Sequence, residues 1–415
     1  MRILMVLLIM ISNNLSIFSQ DINWDAELRF RGELDNRDFR NSTPPNYYTL
    51  SRVRLGLNIK PTENIFVYLQ LQDSRVFGEE KDANGKFNTI NNLKNVDLHQ
   101  GFIQIDHFLL KNLSVKIGRQ RMFYGNERMI APVMWNNIGR SFDGGLVRYG
   151  DDKNKIDLFV MNTGETNISP TAATPSEVAF HRDAGQLFSG IYFSTKYFDN
   201  QQLDAFLLHQ FNRKVSIPGY WDLWRYTSGV YGRGSVNDFF YEVDIALQFG
   251  TAKDKNIFSN FIAITGGYKF KDFPISSASV SFERLSGTSA DDKKVKTFDL
   301  PYPSGHKFFG FMDYFINIPL DTENRGLMDI YARLIFRLNE SINLNLTLHN
   351  FNLAEELSGK KDLGNEIDIV IDWKYNKFVS FEGGYSAFLP GKVLNQKFVG
   401  YDVAHWAYLS TMFNF

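Results

Sequence analysis

Cysteine is absent from the 415-residue chain, which excludes disulfide bonds and a lipid-modified cysteine anchor. Long apolar runs are missing after the first residues, so no later segment is predicted to cross a membrane as a helix. The net charge is −1, which predicts neither a nucleic-acid partner nor a polybasic membrane tether. Nucleophile-elbow, zinc-protease and phosphate-loop motifs are missing too, so we expect no enzymatic activity, no cofactor and no metal site.

The first residues predict a secretory signal peptide. Arg2 precedes an apolar run over residues 3–11, and a polar stretch ends at the small residue Ser19. The run is too short to cross a bilayer as a helix. We therefore predict a signal peptide over residues 1–19 and a single domain over residues 20–415.

Alternation with a period of two residues runs through most of the remaining chain. Over residues 24–31, Trp24 and Leu28 share one face, while Asp25 and Arg29 share the other. The same pattern recurs over residues 52–60, 65–72, 241–249 and 366–375. These segments are about ten residues or longer, the length of a tilted membrane-crossing strand and about twice that of an average soluble strand. The pattern predicts apolar side chains towards lipid and charged side chains towards a lumen.

The connections between these segments alternate between short and long. The short ones are predicted at residues 60–64, 107–112, 150–155, 198–202, 234–237, 271–274, 338–341 and 376–378. The long ones are predicted at residues 36–46, 74–94, 122–141, 162–186, 212–222, 251–258, 287–325, 352–362 and 390–401. Eight short turns and nine long loops predict an all-β transmembrane antiparallel β-barrel of about 18 strands, with periplasmic turns and termini and extracellular loops. The strand-like stretch 308–316 is assigned to the loop 287–325, which is predicted to fold inward.

The last segment ends on Phe415, and such a terminal aromatic resembles the signal read by the outer-membrane assembly machinery. Aromatic residues near the strand ends are typical of interfacial girdles. We therefore predict the outer membrane of a Gram-negative bacterium as the location. The predicted partners are membrane lipids or lipopolysaccharide and the assembly machinery, with the barrel itself a monomer.

The most unusual stretch of the sequence lies between residues 115 and 145. It combines arginines with aromatic residues: Arg119, Arg121, Phe123, Tyr124, Arg128, Trp135 and Arg140. Guanidinium groups beside aromatic rings favour a surface that handles anions or sugars. The alternative is that these arginines only pair with local acids such as Glu127 and Asp143.

Charged residues on the lumen side of the strands extend this surface. The basic ones are Arg29, Arg31, Arg52, Arg54, Lys116, Arg333 and Arg337, and the acidic ones include Asp25, Glu27, Glu242, Asp244, Glu366 and Asp368. Charged groups inside a narrow wall set charge selectivity. For any single residue, the alternative is a salt-bridge ladder that maintains the shape of the barrel.

Arg119 and Arg121 do not obey the alternation, since they share the face of the apolar residues Val115 and Ile117. An arginine facing lipid costs about 2–4 kcal/mol at the midplane and far less at the interface. Either Gly118 marks a bulge that exchanges the faces, or the strand has left the membrane at this point. Both alternatives predict that the arginines point towards the pore mouth.

Three groups of residues resemble the alginate-export family of outer-membrane barrels. They are Gly118-Arg-Gln with Tyr124-Gly, Arg128, Trp135-Asn-Asn and Gly139-Arg-Ser-Phe-Asp-Gly144; Tyr302-Pro-Ser-Gly-His306 with Gly310 and Asp313; and Leu363-Gly-Asn-Glu-Ile-Asp368 with Phe388-Leu-Pro-Gly391. The resemblance implies an eighteen-stranded monomeric barrel whose electropositive constriction conducts a uronate polysaccharide outward. It implies site residues at the matching positions Arg119, Arg128, Arg140, Asp143, His306, Glu366 and Asp368.

Three functions follow as hypotheses. The first is a channel for an anionic, alginate-like polysaccharide or oligosaccharide with an arginine-lined pore. The second is a general porin or uptake channel for small anions and oligosaccharides. The third is an outer-membrane enzyme or adhesin whose lumen is plugged and which carries no steady current.

Overall fold

The computed structural model describes residues 21–77, 96–164, 186–212, 222–271, 274–398 and 400–415, so the predicted signal peptide lies outside the described residues. Eighteen strands follow one another along the chain. They are β1 (Asp21–Asn36), β2 (Asn46–Thr62), β3 (Ile65–Phe77), β4 (Val96–Ile105), β5 (Leu113–Gln120), β6 (Phe142–Gly150), β7 (Asn154–Gly164), β8 (Gln186–Thr195), β9 (Gln201–Asn212), β10 (Leu223–Val236), β11 (Phe239–Ala252), β12 (Lys255–Lys269), β13 (Ile275–Leu285), β14 (Leu327–Arg337), β15 (Ile342–Leu357), β16 (Lys360–Lys374), β17 (Val379–Pro390) and β18 (Ala404–Asn414).

The strands form one closed antiparallel ring, which confirms the predicted fold class. Each strand pairs with the next in sequence, for example β10 with β11 from Leu223↔Ala252 to Val236↔Phe239. The ring closes where β1 pairs with β18, from Glu27↔Asn414 to Asn36↔His405. Closure pairs the backbone groups of every strand on both sides, which a sheet in hydrocarbon requires.

The predicted connections are confirmed in number and mostly in length. All eight short turns lie where the sequence predicts them, at one end of the barrel, which we call the turn end. Two of the predicted long loops are wrong, because only residues 253–254 join β11 to β12 and only residues 358–359 join β15 to β16. Pairing there continues to Ala252↔Lys255 and Leu357↔Lys360, so the polar ends of these segments are strand rather than loop. The predicted loops 74–94, 162–186 and 212–222 lie largely outside the described residues.

The outer face carries the apolar band that the alternation predicts. Leu55, Ile117, Val280 and Leu409 project outward and are each more than half exposed. Arginines and acids on the alternate positions are buried inside. Among the described residues, no helix has both the length and the apolar character needed to cross a membrane.

Two long connections fold into the barrel, and they are named here loop A (residues 121–141) and loop B (residues 286–326). Loop B contains a 3₁₀ turn at Gly305–Lys307 and the short helix α1 (Ile318–Asp321), and its residues 308–316 are not strand, as predicted. A second helix, α2 (Lys392–Phe398), follows β17. Apolar residues of the two loops and of the inner wall form one buried cluster that includes Ile130, Phe309, Phe315 and Phe388. The hydrophobic core therefore lies inside the loop half of the barrel.

Strand β5 passes Gly118 without a register shift, since its pairing to both neighbours is continuous. Arg119 thus stays on the outer face, 3.1 Å from the Asp143 carboxylate. Only Arg121, beyond the strand end, turns inward, where its guanidinium lies 3.3 Å from Met134 Sδ. The predicted bulge, and the prediction that both arginines point to the pore mouth, are wrong for Arg119. Instead, Arg119 and Asp143 form an ion pair at the rim, where the membrane interface tolerates a paired guanidinium.

Replacing Gly118 by alanine is expected to destabilise the barrel. Gly118 has φ +126°, and an added Cβ would lie 2.8 Å from the Cα of Phe102 on β4. Strain of this kind costs about 1–3 kcal/mol before the clash is added. Denaturant unfolding in lipid vesicles measures the loss. Gly145→Ala is the matched control, because a Cβ there meets nothing within 4 Å; equal effects of the two variants would contradict the expectation.

Candidate functional site

Loop A crosses the lumen from one wall to the opposite wall. On one side it contacts β1 and β2 through Arg29 and Arg52. On the other side Asn126 donates to Glu242 of β11 at 2.8 Å, and Arg128 bonds Glu283 of β13. In a ring of 18 strands, β2 and β11 lie diametrically opposite each other. The loop therefore divides the lumen along its diameter.

The wall arginines attach loop A through its backbone. Arg29 donates to the carbonyl oxygens of Met134, Trp135 and Asn136 at 3.1, 2.9 and 3.1 Å. Arg52 donates to Met134 O at 2.9 Å and Asn136 O at 2.7 Å, and Arg31 donates to Trp135 O at 2.9 Å. The carbonyl groups of the three successive residues 134–136 thus accept hydrogen bonds from the guanidinium groups of three wall arginines.

Acids on the same wall balance part of this positive charge. Glu27 accepts from Arg52 at 2.5 Å and lies 3.5 Å from Arg54, while Glu33 accepts from Arg31 at 2.7 Å. Arg54 also donates to Gln72 at 2.8 Å. The four arginines face inward as predicted, but all are at most 4% exposed. Arg29, Arg31 and Arg52 bond the backbone of loop A and are its anchors in this structure, whereas Arg54 reaches the loop only at Met134 Sδ, at 3.7 Å.

Arg128 fixes the far end of loop A to the opposite wall. Its two terminal nitrogens each lie 2.5 Å from a carboxylate oxygen of Glu283, a bidentate pair in which both side chains are 1% exposed. The guanidinium also stacks on Phe308 of loop B, 3.8 Å from the ring centroid. The sequence alternative of pairing with Glu127 is wrong, because Glu127 pairs with Lys307 at 3.3 Å.

Loop B packs on loop A and on the remaining wall. Ile130 and Tyr302 form a parallel bridge between the loops, and Arg140 donates to Ala131 O and Pro303 O, both at 3.2 Å. Burial lowers the pKa of the Arg140 guanidinium, which the neighbouring Tyr302 hydroxyl partly offsets. Arg140 therefore bonds the backbone of both loops.

Loop B also contacts the wall on two sides. Asp299 pairs with Arg225 of β10 at 2.7 Å, and the Met312 N–H donates to Glu366 of β16 at 2.8 Å. Glu366 also packs against Gly310 of loop B, since a Cβ added at Gly310 would lie 2.5 Å from a carboxyl oxygen of Glu366. Asp368, two residues on, is buried and accepts from Ser386 at 2.5 Å. Together the two loops occupy the centre of the lumen.

An aromatic stack joins the wall to both loops. The Arg31 guanidinium lies 3.9 Å from the Trp135 ring centroid, and Trp135 stacks on His306 at 4.2 Å and 6°. His306 stacks in turn on Phe311 at 4.6 Å, while its Nδ1 lies 2.9 Å from Asp313. The family-matched His306 and Trp135 are therefore packed against each other rather than presented to a solute.

A cavity of about 810 Å³ remains between the loops and the wall formed by β9–β14, and we call it the turn-end chamber. Gly125–Glu127 of loop A and Lys307 and Phe308 of loop B line it together with turn-end residues. Its basic side chains are Lys196, Arg233, Lys269, Lys307 and Arg333, and its acidic ones are Glu127, Asp199 and Glu242. Hydroxyl groups of Thr265, Ser277, Ser279 and Ser281 line it as well.

Four cations of the chamber form no ion pair within the described ranges: Lys196, Arg233, Lys269 and Arg333. Arg233, Lys269 and Arg333 lie on the strands of the wall, and Arg333 donates to Thr347 at 3.3 Å. Sequence reasoning found Arg333 but missed Arg233 and Lys269. The sequence predicts a turn from residue 234 onwards, whereas β10 continues to Val236. Strict alternation from the inward Thr227 and Tyr231 would have placed Arg233 in the lumen.

The other predicted residues are scattered around this site. Lys116 is half-buried above the Phe102 ring at 4.3 Å. Arg337 is exposed at the turn end of β14. Arg119 and Asp143 face outward at the rim, so they do not line the lumen. In the part of the chain that the structure describes, no group of three or more His, Asp or Glu side chains is placed to hold a metal ion.

Comparison with known proteins identifies the family and the fold. The family model described as alginate export matches residues 20–401, whereas no curated protein sequence matches the chain. OccAB1 of Acinetobacter baumannii aligns at TM-score 0.62 and 10% identity over 95% of this chain and 96% of that one. OccK8 (OprE) of Pseudomonas aeruginosa aligns at TM-score 0.61 and 10% identity over 95% of this chain and 98% of that one. A BenF-like porin from Pseudomonas fluorescens Pf-5 aligns at TM-score 0.60 and 11% identity over 96% of this chain and 99% of that one. At these identities the structural likeness concerns the fold alone.

Proposed function

The chain belongs to the alginate export family of outer-membrane barrels, and on that premise we propose that it is a passive channel for anionic, alginate-like oligosaccharides. The proposal includes removal of residues 1–19, periplasmic termini, a monomeric barrel and no catalytic step. The single observation that carries it is the turn-end chamber, whose strand cations Arg233, Lys269 and Arg333 form no ion pair among the described residues.

Charge and chemistry of the chamber support this assignment. A guanidinium group binds a carboxylate through two parallel N–H bonds, and charge-assisted bonds of this kind are about twice as strong as neutral ones. Hydroxyl side chains such as Ser279 supply the weaker bonds that sugar hydroxyl groups exchange. Uncompensated cations in a narrow, low-dielectric wall also raise the local anion concentration.

Size distinguishes a short ligand from a continuous polymer. Loops A and B occupy the lumen centre, and the chamber volume of about 810 Å³ lies in the range of about 300–1,000 Å³ typical of small-ligand sites. This observation favours an oligosaccharide and keeps uptake of small anions as the second candidate. A polymer would require displacement of the loops.

Planar-bilayer recording tests the proposal. In a salt gradient we expect an anion-selective reversal potential and a concentration-dependent block by oligouronate but not by neutral maltooligosaccharide. The variant Arg233→Gln/Lys269→Gln/Arg333→Gln should move the reversal potential towards zero and weaken the block about tenfold or more.

The control is Lys255→Gln/Lys293→Gln/Lys294→Gln, which removes three exposed cations from the loop end. It should leave the block unchanged. An equal block by both sugars would favour the small-anion channel. A silent barrel, or equal effects of the two triple variants, would contradict the proposal.

A further inference from the structure

A second set of charges lies at the turn end of the barrel, outside the turn-end chamber. Asp25 of β1, Asp372 of β16 and Glu382 of β17 occupy inward positions at the turn end. None of the three forms an ion pair among the described residues. In the part of the chain that the structure describes, these carboxyl groups have no cation within ion-pair distance.

Neutral donors hold these carboxyl groups in place. Asp25 accepts from the Tyr68 hydroxyl and from Asn58, both at 3.0 Å. Glu382 accepts from the Tyr408 hydroxyl at 2.9 Å, and Asp372 accepts from Asn345 at 2.7 Å. Uncharged partners orient a carboxylate without cancelling its field.

Two glycines, Gly56 and Gly384, leave room for the tyrosine donors beside these acids. Gly56 pairs with Asp25 across β1 and β2, and a Cβ at Gly56 would lie 2.5 Å from the Tyr68 hydroxyl. A Cβ at Gly384, on the same inner face as Glu382, would collide with the Tyr408 ring. Side chains at either position would push the tyrosine donors away from the acids.

The basic and acidic residues occupy two separate arcs at one level of the barrel. Arg233 lies on β10 and Asp25 on β1, which are nine strands apart in a ring of 18 and hence diametrically opposite. Each of the three cations Arg233, Lys269 and Arg333 lies within four positions of the turn end of its strand. The same holds for the three acids Asp25, Asp372 and Glu382. At this level the basic wall consists of Arg233, Lys269 and Arg333 on β10, β12 and β14, with the acid Glu242 of β11 among them, and the acidic wall lies on β1, β16 and β17. The two walls approach each other between β14 and β16, which are two strands apart.

We propose that this level of the lumen is a dipolar binding site for solutes that carry a carboxylate and an ammonium group. The carboxylate contacts the basic wall and the ammonium contacts the acidic wall. The walls are nearest at Arg333 of β14 and Asp372 of β16, two strands or about 10 Å apart, a separation that a short solute can span. The inference rests on the proposed function, since the basic wall is the same one that binds the oligosaccharide carboxylates. Opposed charges in a low-dielectric lumen create a transverse field, which orients dipoles and offers anions and cations separate paths.

Neutralising the acidic wall is the test. The variant Asp25→Asn/Asp372→Asn/Glu382→Gln keeps an oxygen acceptor for each neutral donor, so the fold is expected to persist, as its mobility on unheated gels would show. We expect the reversal potential to move further towards anion selectivity. Block by the zwitterion 6-aminohexanoate should weaken about tenfold, while block by the dianion adipate should persist or strengthen.

The control variant is Asp152→Asn/Asp254→Asn/Glu340→Gln, which removes three exposed acids outside the lumen. It should change neither block. If the acidic-wall variant left the zwitterion block and the reversal potential unchanged, the acids would only position the tyrosines and the inference would be wrong. Single Glu382→Gln serves if the triple variant fails to assemble. If adipate did not block the current of the unaltered channel, the proposed function would be contradicted instead. The two failures are therefore distinguishable.

Discussion

Replacing Arg128 by methionine is expected to cost about 3–5 kcal/mol of barrel stability, because Glu283 would be left buried without its cation. Asp329 of the adjacent strand β14 and Asp244 of β11 lie near Glu283, and no other described cation replaces the bidentate pair. Loop A would also lose its attachment to β13 and its stack on Phe308. We therefore expect a lower denaturant midpoint in vesicles and larger, noisier single-channel currents.

Two further variants separate this effect from a simple change of charge. Arg284→Met removes a cation adjacent in sequence to Glu283, but its pair with Glu355 is partly exposed, 3.7 Å long and worth about 0–1 kcal/mol. Arg128→Met/Glu283→Leu replaces both members of the buried pair and should recover much of the lost stability. If Arg128→Met behaved like Arg284→Met, the buried pair would not hold loop A.

The fold was predictable because barrel strands repeat one rule along the whole chain. Alternation between positions such as Leu28 and Arg29 reports the two environments of the wall directly, and it yields the strand number without long-range information. The failures at residues 253–254 and 358–359 have a physical cause. Strands that continue beyond the membrane have water on the outside, so their sequences become polar and resemble loops.

The interior was harder to predict because inward charge does not specify its partner. Arg52 and Arg333 both lie on inward positions, yet one bonds loop A and the other faces the chamber. That difference depends on the path of two loops whose contacts link residues more than one hundred positions apart. Local composition carries no information on such a path. The family resemblance implied Arg128 and Arg140 as site residues; in the structure both bond the loops, and their role in permeation stays a prediction.

Replacing Arg52 by methionine should release loop A from the wall, whereas the same change at Arg54 should not. Arg52 donates to two loop carbonyls, at 2.9 and 2.7 Å, while Arg54 bonds Gln72 and Glu27 on the wall and reaches the loop only through the weak acceptor Met134 Sδ, at 3.7 Å. Both are 1% exposed, and either change removes one positive charge from the same inner face. Two lost charge-assisted bonds amount to about 3 kcal/mol, which shifts the balance between attached and released loop about 100-fold.

The two hypotheses for the wall arginines then give different results. If they line the pore and select anions, both variants should lower anion selectivity to a similar extent at unchanged conductance. If they anchor loop A, only Arg52→Met should raise conductance and admit larger neutral oligosaccharides, and only it should expose residues 134–136 to added protease. A cysteine placed at Asn136 and probed with a bulky thiol reagent measures the release directly. Equal labelling in both variants would show that the carbonyl bonds of Arg52 do not hold the loop, and the four arginines would have to be assigned to the permeation path.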